Sequence, residues 1–217
     1  MIDIIVGHHN AAHRDALTAM YQLRHRVFSE RLGWQVNSQH GLEMDDYDRD
    51  DTTYLLAYDD NEKLCGTWRL LPTQHPYMLK NTFPQLLQGH APPAHATIWE
   101  TSRFAVEQGP SSLQDDTQAS PQVNRITQEL FIGLVAHCVA QKIEKVYTVY
   151  DIRIARLLPR VGCTPFWRSK PMKIGVTTAL AGGFTTNQQV LDTICRKTGM
   201  NKNVLRHTPW HRHNVAA

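Results

Sequence analysis

Charged side chains stand inside segments that are otherwise apolar, and they are where the chain could do chemistry. Arg24 and Phe28 are four residues apart in an apolar-periodic stretch and therefore share a helix face. Arg69 sits within Thr67-Trp68-Arg69-Leu70-Leu71, and Glu100 and Arg103 interrupt the run from Ile98 to Val106. Asp45 and Asp48 lie in the acidic stretch between residues 43 and 51. Charged residues are rarely buried unless paired. Three arginines and several carboxylates, each beside an apolar segment, therefore point to one shared ionic cluster. Such a cluster either orders the fold or binds a charged substrate, and both readings stay open on the residues alone.

The elements that must position these residues follow from periodicity and punctuation. Ile2 to Val6, bounded by Gly7, reads as a strand, and Leu17, Met20, Leu23, Val27 and Phe28 place one helix from about His13 to Leu32. Residues 54–58 and 64–71 read as a hairpin around the polar turn 59–62. Residues 72–96 carry five prolines and form a long connection with one helical turn near Phe83 to Leu87. A strand from Thr97 to Val106 follows, then a Gly/Ser/Asp/Gln tract at 108–119 expected as a solvated loop. Ser120-Pro121 opens a helix to about Lys142, with Ser as N-cap. A strand at 146–149, a helix at 152–161 closed by Gly162, a strand at 173–180 and a helix at 187–197 stopped by Gly199 complete the chain. An early hairpin and later β-α-β crossovers predict a single α/β domain over residues 1–217 with a mixed sheet.

Composition narrows the function classes. With 217 residues, 41% hydrophobic and 20% charged, the chain can bury a core and is neither disordered nor membrane-embedded by composition. A net charge of +3 is too mild to indicate nucleic-acid binding by itself. Cys65, Cys138, Cys163 and Cys195 are scattered, which argues against a zinc ribbon or a secreted disulfide scaffold. The N-terminus turns polar too quickly for a signal peptide, and no apolar run spans a bilayer, so a soluble cytoplasmic protein is expected. There is no phosphate-binding, dinucleotide-binding, nucleophile-elbow or zincin motif. His207, His211 and His213 form the densest histidine group, in a polar tail expected to be exposed rather than a metal site.

Leu23 to Val36, with its R-x3-F-x5-W spacing, resembles the N-terminal signature of the LuxI-type acyl-homoserine lactone synthases. Glu43-Met44-Asp45-Asp46-Tyr47-Asp48 is similar to the E-x-D-x-x-D segment of that family, and Gly66 to Leu70 and Trp99 to Val106 match two later blocks. Pro76 to Pro84 resembles the segment between them. Arg24, Phe28, Trp34, Asp45, Asp48, Arg69, Glu100 and Arg103 fill the eight hallmark positions. The resemblance implies a GNAT-like acyltransferase fold, a twisted mixed sheet with helices on both faces. It also implies an enzyme that acylates the amine of S-adenosylmethionine from acyl carrier protein, closes the lactone and releases methylthioadenosine. S-adenosylmethionine is then a substrate, and neither a cofactor nor a metal is expected.

On that resemblance Glu100 is the base for the amine, and Arg24, Phe28, Trp34 and Arg103 belong to the S-adenosylmethionine site. Asp45, Asp48 and Arg69 form the charged network that orders it. The resemblance places the acyl pocket in the C-terminal half, with Thr148 or Tyr150 facing the chain. A basic excess between 142 and 173, including Lys145, Arg153 and Arg156, is expected to dock the acidic carrier. Acyl-CoA as donor is an alternative. So is an ordinary GNAT N-acetyltransferase, although residues 107–122 lack its pyrophosphate loop. A non-catalytic binding module using the basic surface is a third reading. Strand parity adds a geometric expectation: Glu100 and Arg103, three apart, share a face only if a β-bulge falls between them.

Overall fold

The computed structural model describes residues 1–8, 11–107 and 121–206. Strand β1 (Ile2–Val6) leads to helix α1 (Arg14–Arg24), which runs directly into a seven-residue π-helical stretch, His25–Arg31. A two-stranded ribbon, β2 (Ser38–Gln39) with β3 (Leu42–Glu43), precedes the hairpin β4 (Thr53–Tyr58) and β5 (Leu64–Pro72). The proline-rich connection contains α2 (Met78–Asn81) and a 3-10 turn, Pro84–Leu87. Then come β6 (Ile98–Val106), α3 (Pro121–Ala140), β7 (Lys145–Asp151) and α4 (Ile152–Val161). The chain continues through β8 (Trp167–Arg168), β9 (Met172–Ile174), β10 (Thr177–Thr185) and α5 (Gln188–Thr198).

The main sheet has the order β1-β4-β5-β6-β7-β10-β8, with β9 also on β10. Every junction is antiparallel except β6 with β7, where Ile98 to Thr101 pair with Lys145 to Thr148. Alternation along the strands sorts side chains to two faces. Leu55, Trp68, Leu70, Val106, Val146 and Tyr150 pack with the apolar sides of α3, α4 and α5. Ile5, Tyr54, Leu56 and Ala105 pack with α1 on the other face, and Leu71, Tyr147 and Val149 pack there with α2 and the 3-10 turn. Helices thus cover both faces, as a GNAT-like fold requires.

Local chemistry explains the element ends. Asp151 caps α4 by accepting from the Arg153 N–H, and Gly162 closes it at φ 90°, a conformation that costs a residue with a Cβ. Three expectations change. The first helix does not stay α-helical to Leu32, because its last turn widens into the π stretch. A short helix, α2, stands where only connection was expected. The strand expected at 173–180 is a hairpin of β9 and β10 around Gly175, and β10 continues through Gly182-Gly183. Beside those glycines a Cβ would meet the Tyr150 hydroxyl at 2.7 Å and the Phe166 ring at 2.6 Å, so their absence of a side chain makes room for aromatic neighbours. The N-cap at Ser120, the tract 108–119 and the histidine-bearing tail lie outside the described residues.

Candidate active site

The cluster expected from sequence forms on the α1 face, where α1, the acidic segment and strands β5 and β6 meet. Arg24 is fully buried; its Nε donates to Glu43 Oε2 at 2.5 Å, and its Nη1 and Nη2 donate to both oxygens of Asp48 at 2.8 and 3.0 Å. Arg69 spans Asp45 and Asp48 from Nη1 at 2.6 and 3.0 Å, and its Nε reaches Ser102 Oγ at 3.1 Å. Arg103 joins Glu43 and Asp45 at 3.0 and 2.8 Å. Tyr54 adds a hydroxyl to Asp48 Oδ1 at 2.9 Å. Burial opposes the charge on Asp48, yet Arg24 and Arg69 hold its carboxyl well below the usual range. Burial likewise opposes the charge on Arg24, which Asp48 and Glu43 more than restore.

Three arginines thus face Glu43, Asp45 and Asp48, and paired charges of this kind are tolerated in the interior where single ones are not. The geometry assigns Arg24 to this network: its three nitrogens are spent on carboxylates and none of its side chain is exposed. Arg103, also expected at the substrate site, leaves 11% of its side chain exposed.

The bulge expected in β6 is present. Between the pairs Thr67↔Ala105 and Arg69↔Ser102 the strand β6 carries one extra residue, and Arg103 takes φ 57°. Phe104 then packs on Trp68 across the α3 face, while Ser102 and Arg103 both reach the network on the α1 face. Glu100 shares that face.

Glu100 is fully buried and outside the ion pairs. Its Oε2 accepts the Met78 N–H at 2.8 Å and its Oε1 the Leu79 N–H at 2.6 Å, at the first turn of α2. Burial raises its carboxyl from 4.5 to about 7, with the two N–H groups and then Arg69 and Arg103 pulling the other way. A carboxyl there exchanges protons near neutrality, as a general base must.

Phe28 and Trp34 are stacked at 5.3 Å between ring centroids, the Arg103 guanidinium lies 5.5 Å from the Phe28 ring centre, and the Trp34 N–H is held by the Phe28 carbonyl. The π-helical winding sets this pair beside the network. Thr148 pairs with Thr101, and Glu100 with Tyr147, in the parallel register. By parity Thr148 and Tyr150 therefore face α3, across the sheet from Glu100. Pairing of β6 with β7 ends at Thr101↔Thr148, just before the bulge, and the strands part there. On the far side Trp68 Nε1, Thr101 Oγ1 and the Tyr150 hydroxyl are buried without a hydrogen-bond partner. Lys145 and Arg156 are exposed, whereas Arg153 is tied to Asp151.

The sequence reading did not single out Glu43, Ser102, Met78 or Thr101. Glu43 was within reach as the first position of the acidic segment; the others carry no signal apart from the fold.

A mixed sheet whose one parallel junction parts beside a buried carboxyl is the architecture of a GNAT-like acyltransferase. The model of the autoinducer synthase family matches residues 8–194, and the chain belongs to that family. The chain is 36% identical over 173 residues to a probable acyl-homoserine-lactone synthase of Sinorhizobium fredii, covering 80% of this chain and 81% of the relative. It is 35% identical to the acyl-homoserine-lactone synthase of Agrobacterium fabrum, over 84% and 85% of the two chains. Among solved structures it resembles the CoA-dependent acyl-homoserine lactone synthase BjaI (TM-score 0.78, 26% identity, 95% and 92% covered). It also resembles the synthase LasI (TM-score 0.72, 31% identity, 88% and 94% covered). Its activity is that of an acyltransferase making acyl-homoserine lactones, the signals of quorum sensing. Among the described residues no helix is long and apolar enough to cross a membrane.

Proposed function

We propose that the enzyme joins S-adenosylmethionine to an acyl group carried on acyl carrier protein. The observation that carries the reading is Glu100, fully buried with a carboxyl near 7, beside Arg103 and the parting of β6 from β7. Glu100 takes a proton from the methionyl amine, directly or through water, and the amine attacks the thioester carbonyl. The freed thiol leaves on the carrier. The carboxylate oxygen then displaces methylthioadenosine from the carbon beside the sulfonium, which closes the lactone. Phe28 and Trp34 supply aromatic faces suited to a sulfonium, and Arg103 supplies a cation suited to the carboxylate.

The acyl chain passes through the gap between β6 and β7 to the α3 face. There Thr101, Thr148 and Tyr150 lie beside apolar Trp68, Phe104 and Phe131. Charge supports the carrier protein as donor: Lys145 and Arg156 are exposed and make no ion pair among the described residues, and an acidic surface would complement them. The likeness to BjaI, whose structure holds SAM and isopentyl-CoA, favours a second reading in which acyl-CoA is the donor.

The test is to offer purified enzyme and S-adenosylmethionine either acyl carrier protein or CoA loaded with the same acyl group. Lactone and methylthioadenosine, detected by mass spectrometry, should appear in equal amounts. Faster turnover with the carrier is expected; turnover with CoA alone would replace the donor, and lactone without methylthioadenosine would end the reading.

A further inference from the structure

Two arginine N–H groups in the network end on sulfur instead of oxygen. Arg69 Nη2 lies 3.3 Å and Arg103 Nη1 3.4 Å from the thioether sulfur of Met78. The backbone N–H of the same residue is held by Glu100 Oε2. Met78 is only 6% exposed and stands where the two guanidinium edges and the base converge. Elsewhere Arg69 and Arg103 meet carboxylates at 2.6 to 3.1 Å. A thioether is a weak acceptor, and a guanidinium donates far more strongly to an anionic oxygen. The two N–H groups directed at Met78 are therefore satisfied only in part.

We infer that the Met78 side chain is a placeholder for the substrate carboxylate. This rests on the reading of S-adenosylmethionine as substrate. In the free enzyme the thioether fills the seat and keeps two cationic N–H groups from facing an empty space. The methionyl carboxylate takes over those donors when it arrives, and the unbranched, three-torsion side chain of Met78 turns aside at little cost. Its backbone need not move, so the bond to Glu100 persists and the base keeps its position. The substrate carboxylate would then lie against Arg69 and Arg103, and the amine it carries would lie on the Glu100 side.

Displacing the thioether is a cost that the free enzyme imposes on binding, and removing it should tighten binding of any ligand that carries the carboxylate. Isothermal titration of Met78→Ala and Met78→Leu with S-adenosylmethionine and with methylthioadenosine tests this, because the second ligand lacks the amino-acid group. The alanine variant empties the seat. The leucine variant keeps most of the bulk, removes the acceptor and guards against a packing defect. Both should lower the Kd for S-adenosylmethionine, by about fivefold for alanine, and leave that for methylthioadenosine within about twofold. An unchanged or raised Kd for S-adenosylmethionine in both variants would overturn the inference. So would equal shifts for both ligands, which would make Met78 part of the nucleoside site. Failure of the wild-type enzyme to bind either ligand is a different result: it removes the substrate reading, and the placeholder with it.

Discussion

Replacing Glu100 with glutamine tests the base and its setting together. The carboxylate accepts one backbone N–H on each oxygen, and a glutamine amide can accept only one of them. The other N–H is left buried and unpaired, a cost of about 1–3 kcal/mol. Against this, burial raises the carboxyl from 4.5 to about 7, which disfavours the charged form by about 3 kcal/mol once the pH is well above 7. The sign is fixed by linkage. Between pH 4.5 and about 7 the folded protein binds a proton that the unfolded chain has released, so this contribution is complete below 4.5 and is lost as the pH rises through 7. Glutamine has no such dependence.

The variant should therefore melt below the wild type at pH 5 and match or exceed it at pH 8. The relative change is about 6–12 °C, at about 2–4 °C per kcal/mol for a chain of this size. Lactone formation should fall about 10²- to 10⁴-fold. In the wild type log kcat/KM should rise with unit slope up to pH near 7 and then level, and the variant should lack that inflection. A gap in melting temperature that ignores pH, or turnover within about threefold of wild type, would refute the reasoning.

Asp48→Asn removes the negative charge facing Arg24 and Arg69 and turns one acceptor oxygen into an N–H donor, and it should cost about 3–5 kcal/mol in urea unfolding; a loss below about 1 kcal/mol would mean that the network is not cooperative. Arg103→Gly and Arg103→Gln should both abolish lactone synthesis. Glycine adopts the φ of 57° without strain, so it should be the more stable of the two by about 1 kcal/mol, and the reverse order would show that the bulge relaxes on mutation. Charge reversal at Lys145 and Arg156 should raise KM for acyl carrier protein and leave KM for S-adenosylmethionine unchanged. Added salt should act on the wild type in the same way, and equal effects on both substrates would remove the docking idea.

Much of the site was legible because buried charge is expensive. The arginines inside Thr67 to Leu71 and Ile98 to Val106 had to find acids, and they found Asp45 in the acidic segment. The bulge was legible for a related reason: two side chains three apart in a strand share a face only through an extra residue. The role of each arginine was not legible, because which guanidinium is sealed and which is left partly open depends on the depth of α1 against the sheet. The π-helical turn could not be read either, since the apolar spacing through Leu23, Val27 and Phe28 is compatible with both windings. Met78 gave no signal, because its neighbours Arg69, Glu100 and Arg103 come from other elements. In the C-terminal half, Gly182-Gly183 hid the length of β10, as glycine is normally depleted in strands.

The parallel junction between β6 and β7 has a mechanical meaning as well. It is held by four residue pairs, whereas β7 with β10 has seven and β4 with β5 has six. Parallel pairing is also slightly the weaker kind per residue. On the N-terminal side of this line β1, β4, β5 and β6 are joined by antiparallel ladders, and on the other side β7, β8, β9 and β10 form their own. The sheet is two cohesive plates joined along a weak seam, and the proposed chemistry sits at the open end of that seam. Amide exchange across residues 98–101 and 145–148 should accordingly require less free energy than exchange within either plate. An acyl chain threaded through the opening would act as a rivet, adding apolar contact to both plates where backbone pairing stops.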